Sequence, residues 1–147
     1  MLAAAIAHHL TSLGLVDYRP DGAGGDCFVQ WLPDQPPEAV SVWNTGGLPQ
    51  PTRLAFDDPS FQVRARGDRF DVTTPHDRLA AIYDALTCLD GVTIAAGTPH
   101  EVWVIGISPL QSSPISIGRD DNQRPEWTQN YSVSIANPTA HRPQITA

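Results

Sequence analysis

The sequence predicts a single α+β domain in which an antiparallel or mixed β-sheet carries two α-helices packed over one face. Three observations lead there. Two stretches, residues 2–13 and 74–89, repeat apolar residues at helical spacing, while several shorter ones alternate or run apolar as strands do. The order is helix, strands, helix, strands, without the regular alternation that builds a parallel sheet. Fourteen Pro and eleven Gly among 147 residues keep the regular elements short. A chain of this length supports one core, so residues 1–136 are expected to form the domain. Residues 137–147, a Pro- and Thr-rich tail, show no core pattern and are expected to be mobile or docked on a neighbour.

The first helix is predicted over residues 2–13, with Leu2, Ile6, Leu10 and Leu13 on one stripe and Gly14 as its stop. His9 lies beside the stripe and His8 away from it. Adjacent helical positions diverge, and metal-binding pairs on helices want i, i+4 spacing, so a surface or packing role is expected for both. The apolar start, Met1 to Ala7, lacks the cationic flank of a leader and is interrupted by these histidines.

Residues 19–26 form a glycine-rich loop without the Lys-Ser or Lys-Thr ending of a phosphate cradle, and Asp21 and Asp26 would repel phosphate. A connecting loop is expected. Residues 27–32 and 39–44 read as strands joined by a Pro-rich turn, and their nearness in sequence predicts antiparallel pairing. Pro49, Pro51 and Pro59 should keep the next stretch irregular, with Asp57-Asp58-Pro59 as a turn.

Residues 61–67 alternate: Phe61, Val63 and Ala65 point to one face, Gln62, Arg64 and Arg66 to the other. The helix after them should open with Thr74 as N-cap and Pro75 at its first position, with Asp77 near the positive end of the dipole. Leu79, Ile82, Tyr83, Leu86 and Leu89 make its apolar stripe, and Gly91 is placed for a C-terminal cap. This strand and helix are expected to share the core.

A strand is predicted over residues 92–95 and a firmer one over 101–107, apolar on both faces, with Trp103, Ile105 and Ile107 opposite Val102, Val104 and Gly106. Such a strand is either covered on both sides or meets another subunit with its second face. A short strand at 115–118 precedes the charged connector Arg119-Asp120-Asp121, which could be a tip reaching a partner but lacks the ligand spacing of a calcium loop. Residues 127–135 alternate cleanly, Trp127, Gln129, Tyr131, Val133 and Ile135 on the inward side.

The formal charge of −7, carried against nine Arg and no Lys, argues against a nucleic-acid binder, which needs a cationic footprint. Cys27 and Cys88 are too far apart for a metal or redox motif and are expected to be free thiols. No metal-ligand spacing or cofactor fingerprint is present, and no run is long or apolar enough to span a membrane. Neither a catalytic, a metal nor a cofactor residue is therefore assigned.

Several segments, in order and spacing, carry a resemblance: residues 20–26 (PDGAGGD), 45–47 (TGG), 62–67 (QVRARG), 81–86 (AIYDAL), 117–122 (IGRDDN) and 129–131 (QNY). Together they resemble the minor capsid or tail terminator proteins of long-tailed phages infecting actinobacteria, from the first helix to about Ile135. The resemblance implies a structural, non-enzymatic virion protein, assembled in the host cytoplasm. Its copies, usually six, would ring the head-proximal end of the tail tube, stop its polymerisation and offer a joining surface to the head connector or stopper protein. It also implies a small sheet flanked by helices, as in tube and joining proteins, and no catalytic residue.

For such a ring the subunit or partner contacts expected are Arg64, Arg66, Trp103, Arg119, Asp120 and Asp121. A solvated sheet face accounts for the two strand arginines equally well. Six copies at −7 would carry about −42, and charge of that sign along a bore would let DNA pass without sticking. Other readings stay open: another neck component such as a head completion or stopper protein, a monomeric adaptor, or a hydrolase using His76, His100 or His141, for which no nucleophile motif is present.

Overall fold

A computed structural model describes residues 1–49, 54–87 and 89–142. The expectations for Pro51, Cys88 and the tail beyond residue 142 lie outside the described residues. The elements run α1 (Leu2–Ser12), β1 (Cys27–Val29), β2 (Ala39–Leu48), β3 (Phe56–Arg66), α2 (Thr73–Thr87), β4 (Asp90–Ile94), β5 (Val102–Pro109), β6 (Ile115–Arg119) and β7 (Pro125–Ala136). The domain is α+β, with two helices and a seven-stranded mixed sheet in the order β1-β2-β3-β7-β5-β4; β6 pairs with β7 in line with β5.

The long antiparallel pair β3–β7 is the spine. Phe61, Val63 and Ala65 stand opposite Tyr131, Gln129 and Trp127, and the Phe61 and Tyr131 rings stack at 4.9 Å. Val40 and Val42 of β2, Val104 and Ile107 of β5, and Val133 and Ile135 of β7 extend this apolar cluster. α1 contributes Ala3, Ala5, Ile6, Ala7 and Leu10, and α2 contributes Leu79, Ile82 and Leu86. α1 is buried on most of its circumference because its small alanines let the backbone approach the sheet; Leu13, expected on its stripe, is instead 49% exposed. Gly14, at φ +74°, ends it as predicted, donating to the Thr11 carbonyl, while Leu15 N donates to Leu10 O. At the other end Asn44 Oδ1 of β2 accepts from Ala3 N at 2.9 Å.

Four local expectations are corrected. α2 is capped by Asp71, not Thr74: its carboxylate accepts from the amides of Thr73 and Thr74 and from the Thr74 hydroxyl. A carboxylate with two oxygens meets more orphan donors than one hydroxyl does. Gly91 lies inside β4 and is not a cap, because the strand starts at Asp90. The 57–59 stretch is strand, since β3 begins at Phe56. Pro59, which has no amide to give, falls where the β3–β7 pairing skips from Asp57 to Ser60, and Ser134 Oγ donates to Asp58 Oδ1 there instead. Its neighbour across β2 is Gly47, where an added Cβ would sit 2.3 Å from the Asp58 carbonyl oxygen.

β1 and β2 pair parallel, not antiparallel. Antiparallel pairing needs only a hairpin, whereas parallel neighbours need a connection that returns to the same end of the sheet, and residues 30–38 supply it. Arg66, only 4% exposed, holds this connection in place: its Nε donates to Pro37 O at 2.9 Å and its Nη2 donates to Pro33 O and Pro36 O, each at 2.7 Å. Arg124 holds the same turn through the Asp34 carbonyl and carboxylate. The Pro-rich turn has several carbonyls and few amides, and two guanidinium forks supply the missing donors.

Candidate functional site

No group of three or more His, Cys, Asp or Glu that could hold a metal ion occurs among the described residues. His76, His100 and His141 lie on three separate elements. His76 is on α2 against Asp77 and the Trp127 ring, His100 receives the N-terminal amine in the turn before β5, and His141 is in the tail. The candidate site is therefore a surface, built from the second side of the β3–β7 spine and the two ends of that pair.

The side chains alternating with the core on β3 and β7 are Gln62, Arg64, Asn130, Ser132 and Ser134, all half-buried. They pair with one another: Gln62 Nε2 donates to Asn130 Oδ1 at 3.0 Å, and Arg64 Nη2 donates to Gln62 Oε1 at 3.1 Å. The Arg64 guanidinium also lies 5.3 Å over the Trp43 ring. Arg64 thus presents a partly open cation on this face. Arg66, two residues on, is consumed by its own chain's carbonyls and presents none.

At the end where β3 starts, a row of paired residues crosses four strands: Phe56, Ala136, Trp103 and Thr93. Phe56 and Trp103 are 44% and 45% exposed, and with Glu101, Val102, Asn137 and Pro138 they line a groove of about 670 Å³. Trp103 and Ile105 stay exposed because β5, although interior to the sheet, is covered only on the side of Val104 and Ile107; the irregularity between Val104 and Gly106 turns Ile107 into the core and away from the Trp103 face expected for it.

The tail builds one wall of this groove. Residues 137–142, expected to be mobile or docked on a neighbour, return to their own β3. Asn137 N donates to Ala55 O and its Nδ2 to Asp57 Oδ2, while the Arg142 guanidinium donates to Leu54 O, Phe56 O and, at 2.9 Å, Asp57 Oδ1. The Asn137 amide, together with Arg142, outweighs burial and holds the Asp57 carboxyl below its ordinary range.

At the other end, where β3 finishes and β7 begins, the charged connector folds onto its own chain. Arg119 Nη1 donates to Arg69 O at 2.6 Å and to Gln123 O. Asp120 accepts from the amides of Asn122 and Arg124 and from Arg124 Nε. Burial opposes its ionisation, yet the Arg124 amide and guanidinium keep its carboxyl below the ordinary value. Asp121 is exposed. Beside this connector stands Phe70, 91% exposed, with the Arg69 guanidinium 5.4 Å from its ring.

Of the six residues expected at contacts, Trp103 marks one end of the spine and Arg119 to Asp121 the other, with Arg64 between. Phe70, Arg124 and the Asp57–Arg142 pair are missed by sequence reasoning. Neither an Asp and an Arg four apart in a turn nor an exposed Phe in a loop gives a signal along the chain, because the spacing of four pairs side chains only on a helix.

A family model described as Bacteriophage tail terminator protein matches residues 9–137. No curated protein matches the chain.

Proposed function

Because the chain belongs to the bacteriophage tail terminator family, a structural family of the virion tail, we propose that it closes the head-proximal end of a tail tube as a ring of six copies. The observation that carries this reading is the match over nearly the whole domain, residues 9–137. In this reading the phage is long-tailed with an actinobacterial host, and both helices back one face of the sheet in a terminator-like fold. The other face and the ends of the spine are then left for contacts.

The physical logic is that of heterologous assembly. A tube grows without limit while each ring offers the next an identical face; a ring that matches the tube on one side and differs on the other ends it. The differing side is then the docking surface for the head connector or stopper protein. Exposed Leu48, Phe70, Trp103 and Leu110 are apolar side chains that such contacts would cover. With a net charge of −7 per copy, the ring repels the phosphates of DNA passing through its lumen and binds none specifically.

Electron microscopy of the purified protein mixed with tail tubes tests this. The protein should collect at one tube end as a closed ring. Binding to the portal side instead would make it a head completion or stopper component, and binding to neither would make it an adaptor.

A further inference from the structure

Phe70 is the most exposed large apolar side chain in the described structure, yet its turn is held firmly. Asp71 N donates to Asp68 O at 3.0 Å, the Asp71 carboxylate caps α2, and Arg119 grips the Arg69 carbonyl. A bare aromatic ring on a pre-ordered turn, with a cation beside it, has the character of an interface anchor, because little entropy is lost when it is buried. The groove between Phe56, Trp103 and Pro138 offers a mixed complement: the Phe56 and Trp103 rings, Val102 and Pro138 for an aromatic side chain, and the Glu101 carboxylate for a cation, with Thr93 and Asn137 also in its lining.

The two features lie at opposite ends of the β3–β7 pair. β3 has 11 residues, so about 35 Å of strand separates them and they cannot meet within one chain. We propose that the occupant of the groove is Phe70 of a second copy, with Arg69 of that copy facing Glu101. The chain as a whole is acidic, so copies repel in most orientations; a cation brought to a carboxylate selects this one. The contact uses two different surfaces and is heterologous, the kind that closes into a ring when the rotation between copies permits. It therefore rests on the ring reading and adds the residues by which neighbours meet. The returned tail takes part, since Asn137 and Pro138 form a wall only while residues 137–142 stay on β3.

The test places p-benzoylphenylalanine at position 70 of the full chain, an aromatic replacement at an exposed site. Equal parts of isotopically heavy and light protein are mixed, sized by native mass spectrometry alone and on purified tail tubes, and irradiated. Mixed heavy–light cross-links from position 70 to Phe56, Trp103 or Pro138 are expected. Arg69→Glu and Glu101→Arg should each weaken assembly about fivefold, and the double variant should recover it. A ring whose cross-links fall elsewhere, within one chain or only on another protein overturns this contact and leaves the ring reading standing. A chain that stays monomeric both alone and on tubes overturns both.

Discussion

Arg66 donates from its Nε to the Pro37 carbonyl at 2.9 Å, and through that bond the end of one strand fixes the path of a turn 29 residues earlier. The same guanidinium serves Pro33 and Pro36. Replacing Arg66 with Ala should cost about 3 kcal/mol, because it strands carbonyls that the Pro-rich turn cannot satisfy itself. Urea denaturation should show a lower midpoint with unchanged slope, and Arg66→Lys should recover only part of the loss. Charge reversal at Arg64, which loses the Gln62 bond and the contact with the Trp43 ring, should cost less, about 1 kcal/mol, leaving the monomer folded and showing its main effect in assembly.

The hairpin between β2 and β3 depends on one glycine. Gly47, at φ +98°, leaves no room for a Cβ beside the Asp58 carbonyl and the Pro59 backbone, whereas Gly46, at φ +89°, faces open space. Thermal unfolding should therefore rank the two alanine variants. Gly46→Ala should cost about 1 kcal/mol from the left-handed backbone alone, and Gly47→Ala about 2–4 kcal/mol.

Inside the core, the Tyr131 ring is stacked on Phe61 while its hydroxyl is buried with no hydrogen-bond partner among the described residues. Burial, aided by Tyr83, accordingly pushes its ionisation well above the ordinary range. Tyr131→Phe removes an unsatisfied oxygen and keeps the ring, so it should be neutral or stabilise by about 1 kcal/mol in denaturant titration. Phe61→Ala should cost about 3–5 kcal/mol.

The tail latch should respond to acid. The folded Asp57 carboxyl titrates below its unfolded value, so its stabilisation is complete above the unfolded value, near 3.8, and is lost as pH falls through the folded one. Hydrogen exchange at residues 137–142 should therefore quicken, relative to the core, once pH drops below about 4. Arg142→Ala should bring the same change at neutral pH. Because the Arg142–Asp57 pair is partly exposed, global stability should fall by no more than about 1 kcal/mol.

How much of this could be read beforehand follows from where each cause lies. The stripe Leu79, Ile82 and Leu86 and the alternation from Gln129 to Ile135 are local periodicities, and burial follows them, although Tyr83 is only half-buried, Leu89 lies past the end of α2, and Thr128 is more buried than Trp127. The register of β3 against β2 and β7 obeys the same rule. What escapes a reading along the chain is held by residues distant in sequence: the parallel β1 by Arg66 and Arg124, and the strand through Pro59 by Gly47 and Ser134. At the surface, Trp103 is legible as excess apolarity in a strand. Arg64 and Arg66 look alike in sequence, and only the crossing of the 33–37 turn over one of them decides which remains on the surface.

A terminal ring on a tail tube is tested most directly by cryo-electron microscopy of the intact particle. The fold described here should dock, as six copies in a single ring, between the last tube layer and the head connector, with Phe70 of each copy at the Trp103 groove of the next. Density for this fold at any other position along the tail axis, or in repeated layers through the tube, would contradict it.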